Sequence, residues 1–134
     1  MTAAIDTSVA IAAFASWHEK HELARHVLDD GARLIEHCAL ETYSVLTRLP
    51  APHRAPSEVV RTFLETRFSG PLLRLGAAAY RTFLSTLPER GVIGGAAYDA
   101  LVAATAADHK IQLVSCDRRA MTTYERYGVQ TRLL

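Results

Sequence analysis

Lysine is almost missing from this chain: of 15 basic residues only Lys20 and Lys110 are lysines, and the rest are arginines. With 14 acids the net charge is +1. No global field draws in a polyanion, so any affinity for nucleic acid must come from local groups. Arginine suits bidentate phosphate contacts. Alanine is abundant too, however, and a GC-rich coding sequence accounts for most of the arginines. Cysteine is scarce: Cys38 and Cys116 are the pair. Each is expected at the end of a strand, on strands that are not neighbours. Two strand spacings exceed the Cα separation a disulfide allows, so free thiols and a reducing cytoplasm are expected. No apolar run is long enough to span a membrane. The first apolar stretch carries Asp6 and has no basic leader, so neither a signal peptide nor a membrane partner is expected. Repeats and low-complexity tracts are lacking.

Several catalytic signatures are absent as well. There is no nucleophile elbow of the G-x-S-x-G kind. Gly94-Gly95 lacks the surroundings of a phosphate-binding loop. His18-Glu19-Lys20-His21-Glu22 and His26 miss the H-E-x-x-H spacing, and a solvated helix face is their plain reading. His37 with Cys38 and Cys116 would suit a soft metal only if distant strand ends met.

What remains is a pattern of alternating strands and helices. Thr2–Ile5 is an apolar run read as a first strand, with Thr7 and Ser8 placed to cap the helix after it. A second helix is expected over His18–Leu28 and a second strand over Arg33–His37. A helix over Leu40–Leu49 ends before Pro50 and presents Thr42, Val45, Leu46 and Leu49 as its stripe. Glu41 borders that stripe in the first turn. Ser57 is expected to cap a helix bearing Val60, Phe63 and Leu64, and Gly70-Pro71 breaks it. Leu72–Leu75 reads as a short strand. The next helix, Ala77–Leu87, presents Tyr80, Phe83, Leu84 and Leu87. An alanine-rich helix spans Ala96–Asp108 and can approach a sheet closely. Ile111–Ser115 is a strand, Ala120, Met121 and Tyr124 stripe a further helix, and Val129–Leu133 alternates as an edge strand. Strands alternating with helices imply right-handed crossovers and a parallel sheet covered on both faces. The length, 134 residues, suits one α/β domain over residues 1–134 with four to five strands.

Four carboxylates fall where a strand ends or a helix begins: Asp6, Glu41, Asp99 and Asp117. Taken singly, each has a dull explanation as a cap or a partner of a helix dipole. Taken together, they could converge on one pocket at the sheet edge where ligands of open α/β sheets bind. Clustered carboxylates repel one another unless a proton or cation intervenes. An all-oxygen site favours a hard cation, Mg²⁺ or Mn²⁺, able to hold a phosphodiester and activate water. Thr7, Ser8 and Ser115 lie beside the acids and are candidates to orient them by hydrogen bonds. Arg118 and Arg119 follow the last acid and are candidates for contacts to the phosphates that flank such a phosphodiester. Trp17 reads as core or interface rather than a base-stacking residue.

These residues carry a resemblance. Ala4-Ile5-Asp6-Thr7-Ser8, the Glu41 helix, Tyr98-Asp99-Ala100-Leu101-Val102-Ala103-Ala104-Thr105-Ala106 and Leu113-Val114-Ser115-Cys116-Asp117-Arg118-Arg119 together resemble a PIN-domain ribonuclease, more narrowly the VapC toxins of bacterial toxin–antitoxin pairs. The resemblance implies a compact α/β/α fold. It implies an acidic quartet, here Asp6, Glu41, Asp99 and Asp117, that binds Mg²⁺ or Mn²⁺ and cleaves RNA to 5′-phosphate and 3′-hydroxyl ends. It further implies a homodimer, for which the stripes of the Glu41 and Ser57 helices are the candidate interface, and a cognate antitoxin that covers the pocket. Ser115 stands where the family often has threonine. Arg118 and Arg119 stand where some members carry another acid. The alternatives are a catalytically silent PIN-like module that binds RNA or protein, and a metal-dependent phosphohydrolase acting on a small ester.

Overall fold

The computed structural model describes residues 2–134. Its α/β fold has a four-stranded sheet, every strand parallel, in the order β2-β1-β3-β4. The strands are β1 (Ala4–Ile5), β2 (Arg33–Leu34), β3 (Leu113–Ser115) and β4 (Thr131–Leu133). Successive strand residues face opposite sides of a sheet. Yet both residues of β1 and all of β3 are buried, so helices cover both faces. That explains why these strands read as unbroken apolar runs rather than alternating ones.

The helices are α1 (Thr7–Phe14), α2 (His21–Asp29), α3 (Glu36–Arg48), α4 (Ser57–Arg67), α5 (Ala77–Thr86), α6 (Ala96–Asp108) and α7 (Met121–Arg126), the last preceded by a 3₁₀ turn over Arg118–Ala120. α6 has the bounds expected from its sequence. Its Ala100, Ala103 and Ala106 are fully buried, the close approach that small side chains permit. Gly94, at φ +58°, makes the turn that delivers the helix start.

Several elements differ from the sequence reading. The second strand ends at Leu34, because α3 starts at Glu36. Cys38 therefore lies in the first turns of a helix, buried, and not at a strand end; both cysteines are free thiols. Glu41 sits a turn deeper in α3 than expected, and the acid of its first turn is Glu36. Leu72–Leu75 forms only a single bridge, Leu73 to Ile35, since the chain beyond Ile35 turns away into α3. Ser57 makes no capping bond. α5 buries Phe83 against Leu75, Val92 and Ala100, and leaves Tyr80 and Leu84 exposed. The stripes expected to meet a second subunit are used inside the chain: Leu46 of α3 and Val60 of α4 bury each other together with Ala55.

The chain leaves β1 towards β2 on one side and later returns to β3 on the other. The sheet thus reverses its winding between β1 and β3, where open α/β sheets have their ligand crevice. Ile5 pairs with Val114 there, so Asp6 and Cys116-Asp117 leave the same sheet edge side by side.

Candidate active site

Asp6, Glu41, Asp99 and Asp117 line one small pocket at that crevice, together with Thr7, Ser8, His37, Cys38, Tyr98, Val102 and Tyr124. Its free volume is about 60 Å³. Four separate segments supply the acids: the end of β1, the second turn of α3, the first turn of α6 and the end of β3.

Asp6 is the most enclosed of them. One carboxylate oxygen, Oδ1, accepts from the Ser8 hydroxyl at 2.5 Å and from the Val9 backbone N–H at 3.3 Å. The second bond caps α1, so the cap is Asp6 and not Thr7 or Ser8. Those two hydroxyls are thereby free for the pocket. Oδ2 accepts from the Tyr124 phenol at 2.7 Å. Burial pushes the Asp6 carboxyl above its ordinary pKa, opposed by the bonds from Ser115, Ser8, Tyr124 and Val9. Burial likewise raises the Tyr124 phenol, and the neighbouring Asp6 charge adds to it. Tyr124 therefore acts as a donor.

The expected hydroxyls form one network. Ser8 Oγ accepts from the Cys116 N–H at 2.8 Å and lies 3.3 Å from Ser115 Oγ. Ser115 Oγ in turn accepts from the Asp117 N–H at 2.9 Å. Thr7 donates to Glu41 Oε1, tying α1 to α3. Each hydroxyl therefore orients an acid or the backbone that carries one.

Asp99 is half-buried at the start of α6. Desolvation raises its pKa most, followed by the charges of Asp117, Asp6 and Glu41; Arg119 opposes them. Asp99 thus lies within reach of the charges of the other three acids. Among the described residues, however, no three His, Cys, Asp or Glu side chains stand close enough to hold one ion between them. An all-oxygen donor set of this kind still fits a hard, hydrated cation, which takes one or two carboxylates directly and keeps several waters. Asp6, Asp99, Asp117 and Glu41 are the residues that could hold it. Asp117 also accepts from the Arg119 N–H at 3.0 Å, capping the 3₁₀ turn. Arg118 and Arg119 are exposed beside it, and the Arg119 guanidinium lies 3.8 Å from the Asp117 carboxylate.

A PIN domain profile matches residues 3–126, nearly the whole chain. The chain belongs to the PIN-domain family. Its relatives include Ribonuclease VapC40 of Mycobacterium tuberculosis, 49% identical over 96% of both chains. Ribonuclease VapC27 of the same species is 43% identical over 94% of this chain and 92% of the relative. Among solved structures it resembles FitAB bound to a DNA fragment, with a TM-score of 0.71 at 18% identity, covering 99% of this chain and 94% of that one. It also resembles VapBC2 from Rickettsia felis bound to a DNA fragment from its promoter, with a TM-score of 0.67 at 14% identity, covering 100% of this chain and 99% of that one. At such identities the structures establish the PIN fold alone.

Five pocket residues of this PIN domain escape the sequence reading of the acid site, His37, Cys38, Tyr98, Val102 and Tyr124, and three of them bring polar or aromatic rings. Tyr124 reads as part of a buried stripe. Its signal is chemical: a buried phenol needs a partner, where leucine at the same place would need none. His37 reads as a strand end and Tyr98 as one letter of a motif. Their rings stack face to face at the pocket, with centroids 5.2 Å apart and planes 6° apart. Of the histidines weighed for zinc, His21 is structural: one of its ring nitrogens bonds the Ala12 carbonyl at 2.8 Å and ties α2 to α1.

Proposed function

We propose that this chain is a Mg²⁺- or Mn²⁺-dependent endoribonuclease and the toxin of a toxin–antitoxin pair. The observation that carries the reading is the convergence of Asp6, Glu41, Asp99 and Asp117, from four chain segments, on one pocket at the sheet's switch point. The two ribonuclease relatives and the PIN fold support it. The convergence of all four acids also speaks against a silent binding module. A cytoplasmic location follows from the proposed substrate.

When bound, a divalent cation supplies Lewis-acid polarisation of the scissile phosphate and a more acidic water. The chain's own residues do the positioning. Asp6, with both oxygens already engaged by Ser8, Val9 and Tyr124, cannot swing away. Thr7 holds Glu41 towards the pocket. Ser115 fixes the backbone that aims Asp117. Asp99 stands at the helix start among three other acids. Attack of water on the phosphorus, with departure of the 3′-oxygen, leaves a 5′-phosphate and a 3′-hydroxyl.

Such an acidic pocket also suits a guanidinium, which makes bidentate charge-assisted bonds to carboxylates. A cognate antitoxin bringing an arginine there would silence the site. A homodimer would use the apolar side chains that α3 and α5 leave exposed, Leu40, Tyr80 and Leu84, rather than the stripes already consumed inside the fold.

The decisive assay incubates purified chain with single-stranded RNA and Mn²⁺. Cleavage is expected, and is expected to vanish with EDTA. Asp99→Asn should lower it by roughly 10³-fold or more, as for groups that act as one catalytic unit. Cleavage that survives both treatments would refute the metal-dependent reading.

A further inference from the structure

The stacked rings at the pocket mouth have no task in the chemistry above. Tyr98 is 58% exposed, although it adjoins Asp99 in the first turn of α6. His37 lies four residues before Glu41 on α3, hence on the same helix face. Each ring is thus held in register with an acid: one neighbour along the chain, one turn along a helix. Two separate elements present the rings almost parallel, 6° apart. If the pair served only to pin α3 against α6, the tyrosine would be covered; instead more than half of the residue is exposed. His37 adds an unsatisfied group, since its Nε2 is buried and makes no hydrogen bond.

A second exposed aromatic pair provides a contrast. Trp17 lies against His53, ring centroids 4.2 Å apart and planes 37° apart. It follows the far end of α1, whose first residues line the acid pocket. Eight helical residues, Thr7–Phe14, separate the two places, about 12 Å at 1.5 Å per residue.

We propose that Tyr98, backed by His37, is a stacking shelf for the nucleobase next to the scissile phosphate of a single-stranded RNA. The proposal rests on the ribonuclease reading of the acid pocket and names how that pocket takes its substrate. Every base has a π-face, so a shelf holds RNA whatever its sequence. It also works where charge does not help. Four carboxylates repel a phosphate chain, and a net charge of +1 supplies no general attraction. Stacking is indifferent to both. A base can reach such a shelf only when unpaired, so the shelf selects loops and single strands over duplex.

The test compares the native chain with Tyr98→Phe, Tyr98→Leu, Tyr98→Ala and Trp17→Ala on a fluorescein-labelled single-stranded RNA of mixed sequence. Cleavage is read with Mn²⁺ as kcat and KM. Binding is read by anisotropy in the Asp99→Asn background. A second RNA lacks the base beside the mapped cleavage point. Tyr98→Leu and Tyr98→Ala should raise KM and Kd by roughly tenfold or more, with kcat nearly constant. Tyr98→Phe and Trp17→Ala should match the native chain. Removing the base should cost the native chain about the same factor and cost Tyr98→Ala nothing further, as for two partners of one contact. Native KM in Tyr98→Ala, native KM in Tyr98→Leu, or an equal abasic penalty in both proteins would each overturn the shelf. If the native chain cuts or binds RNA while Tyr98 is silent, the shelf alone falls. If it neither cuts nor binds, the ribonuclease reading falls and takes the shelf with it.

Discussion

The two ends of α1 differ in nearly everything. At its first turn, Asp6, Thr7 and Ser8 bond to side chains or backbone of α3, α7 and the end of β3. At its last turn, Ile11 and Phe14 pack against the cluster of Leu46, Ala55 and Val60. Phe14 meets Phe63 edge to face, ring centroids 5.2 Å apart. One end carries the acids, and burial raises the pKa of Asp6 and, with the neighbouring acids adding to it, of Asp99, so holding them ionised there costs free energy. The other removes apolar surface from water, the term that dominates folding. A helix of eight residues therefore joins a costly site to the core that offsets it. The division explains why the hydroxyls cluster at one end: buried charge must be hydrogen-bonded, and Thr7 and Ser8 supply donors there beside Tyr124.

The comparison predicts unequal damage. Leu46 is 1% exposed at the apolar end, so Leu46→Ala should cost about 2–5 kcal/mol of stability through lost burial and a cavity. Urea denaturation measures it. The acid pocket lies elsewhere on α3, so the folded fraction should retain its specific activity. A loss of activity in excess of the unfolded fraction would join the two ends that the comparison separates.

Tyr124→Phe tests the polar end. The ring stays, but the Asp6 oxygen at 2.7 Å loses its donor. A buried acceptor left without its bond costs about 1–3 kcal/mol. The larger consequence should fall on metal: Mn²⁺ affinity, read by calorimetry, should drop by about 10-fold, as when a partner that orients a ligand is removed. Unchanged affinity would make Tyr124 a packing residue that happens to reach a carboxylate.

Asp99→Asn should act with the opposite sign. A carboxyl whose folded pKa lies above 3.8 gives up stability when ionised. The penalty is full above the folded pKa, shrinks as pH falls through it, and is gone below the ordinary value. Replacing Asp99 should therefore raise the melting temperature near neutral pH, by about 1–3 °C once its partial exposure is allowed for. The gain should fade towards about pH 4. A destabilised Asp99→Asn would mean that the carboxylate supports the fold rather than straining it.

How far these features were legible depends on whether their cause is local. α6 was readable to its last residue, because Gly94-Gly95 and a run of alanines mark it without help from elsewhere. The four acids were readable because Asp6 and Asp117 end buried strands and Asp99 opens that helix. Glu41 was read in the right place but the wrong turn: α3 begins at Glu36, immediately after β2, with no loop to announce it. The role of Tyr124 was hidden, since its partner is 118 residues away and no periodicity records that contact. The choice of Asp6 over Thr7 as cap was hidden for a related reason. Both can cap, and only partners distant in sequence, Glu41 for Thr7 and the Ser115-Cys116 strand end for Ser8, give the hydroxyls another use.

Arg118 and Arg119 probe how far the polar end reaches beyond the pocket. Both follow the last acid, and the Arg119 side chain is 95% exposed. An exposed guanidinium 3.8 Å from a carboxylate contributes little to stability, so the double substitution Arg118→Ala with Arg119→Ala should leave the melting temperature unchanged. Its effect should appear only with RNA present. Phosphate contacts position a strand without reading it, and each one on a single strand contributes about 0.7 to the slope of log affinity against log salt. If both arginines contact phosphate, the slope should flatten by about 1.4, and by about 0.7 if only one does. Base preference should not change, because stacking at Tyr98 does not depend on these charges. An unchanged slope would return both side chains to solvent, and the polar end of α1 would stop at Asp117.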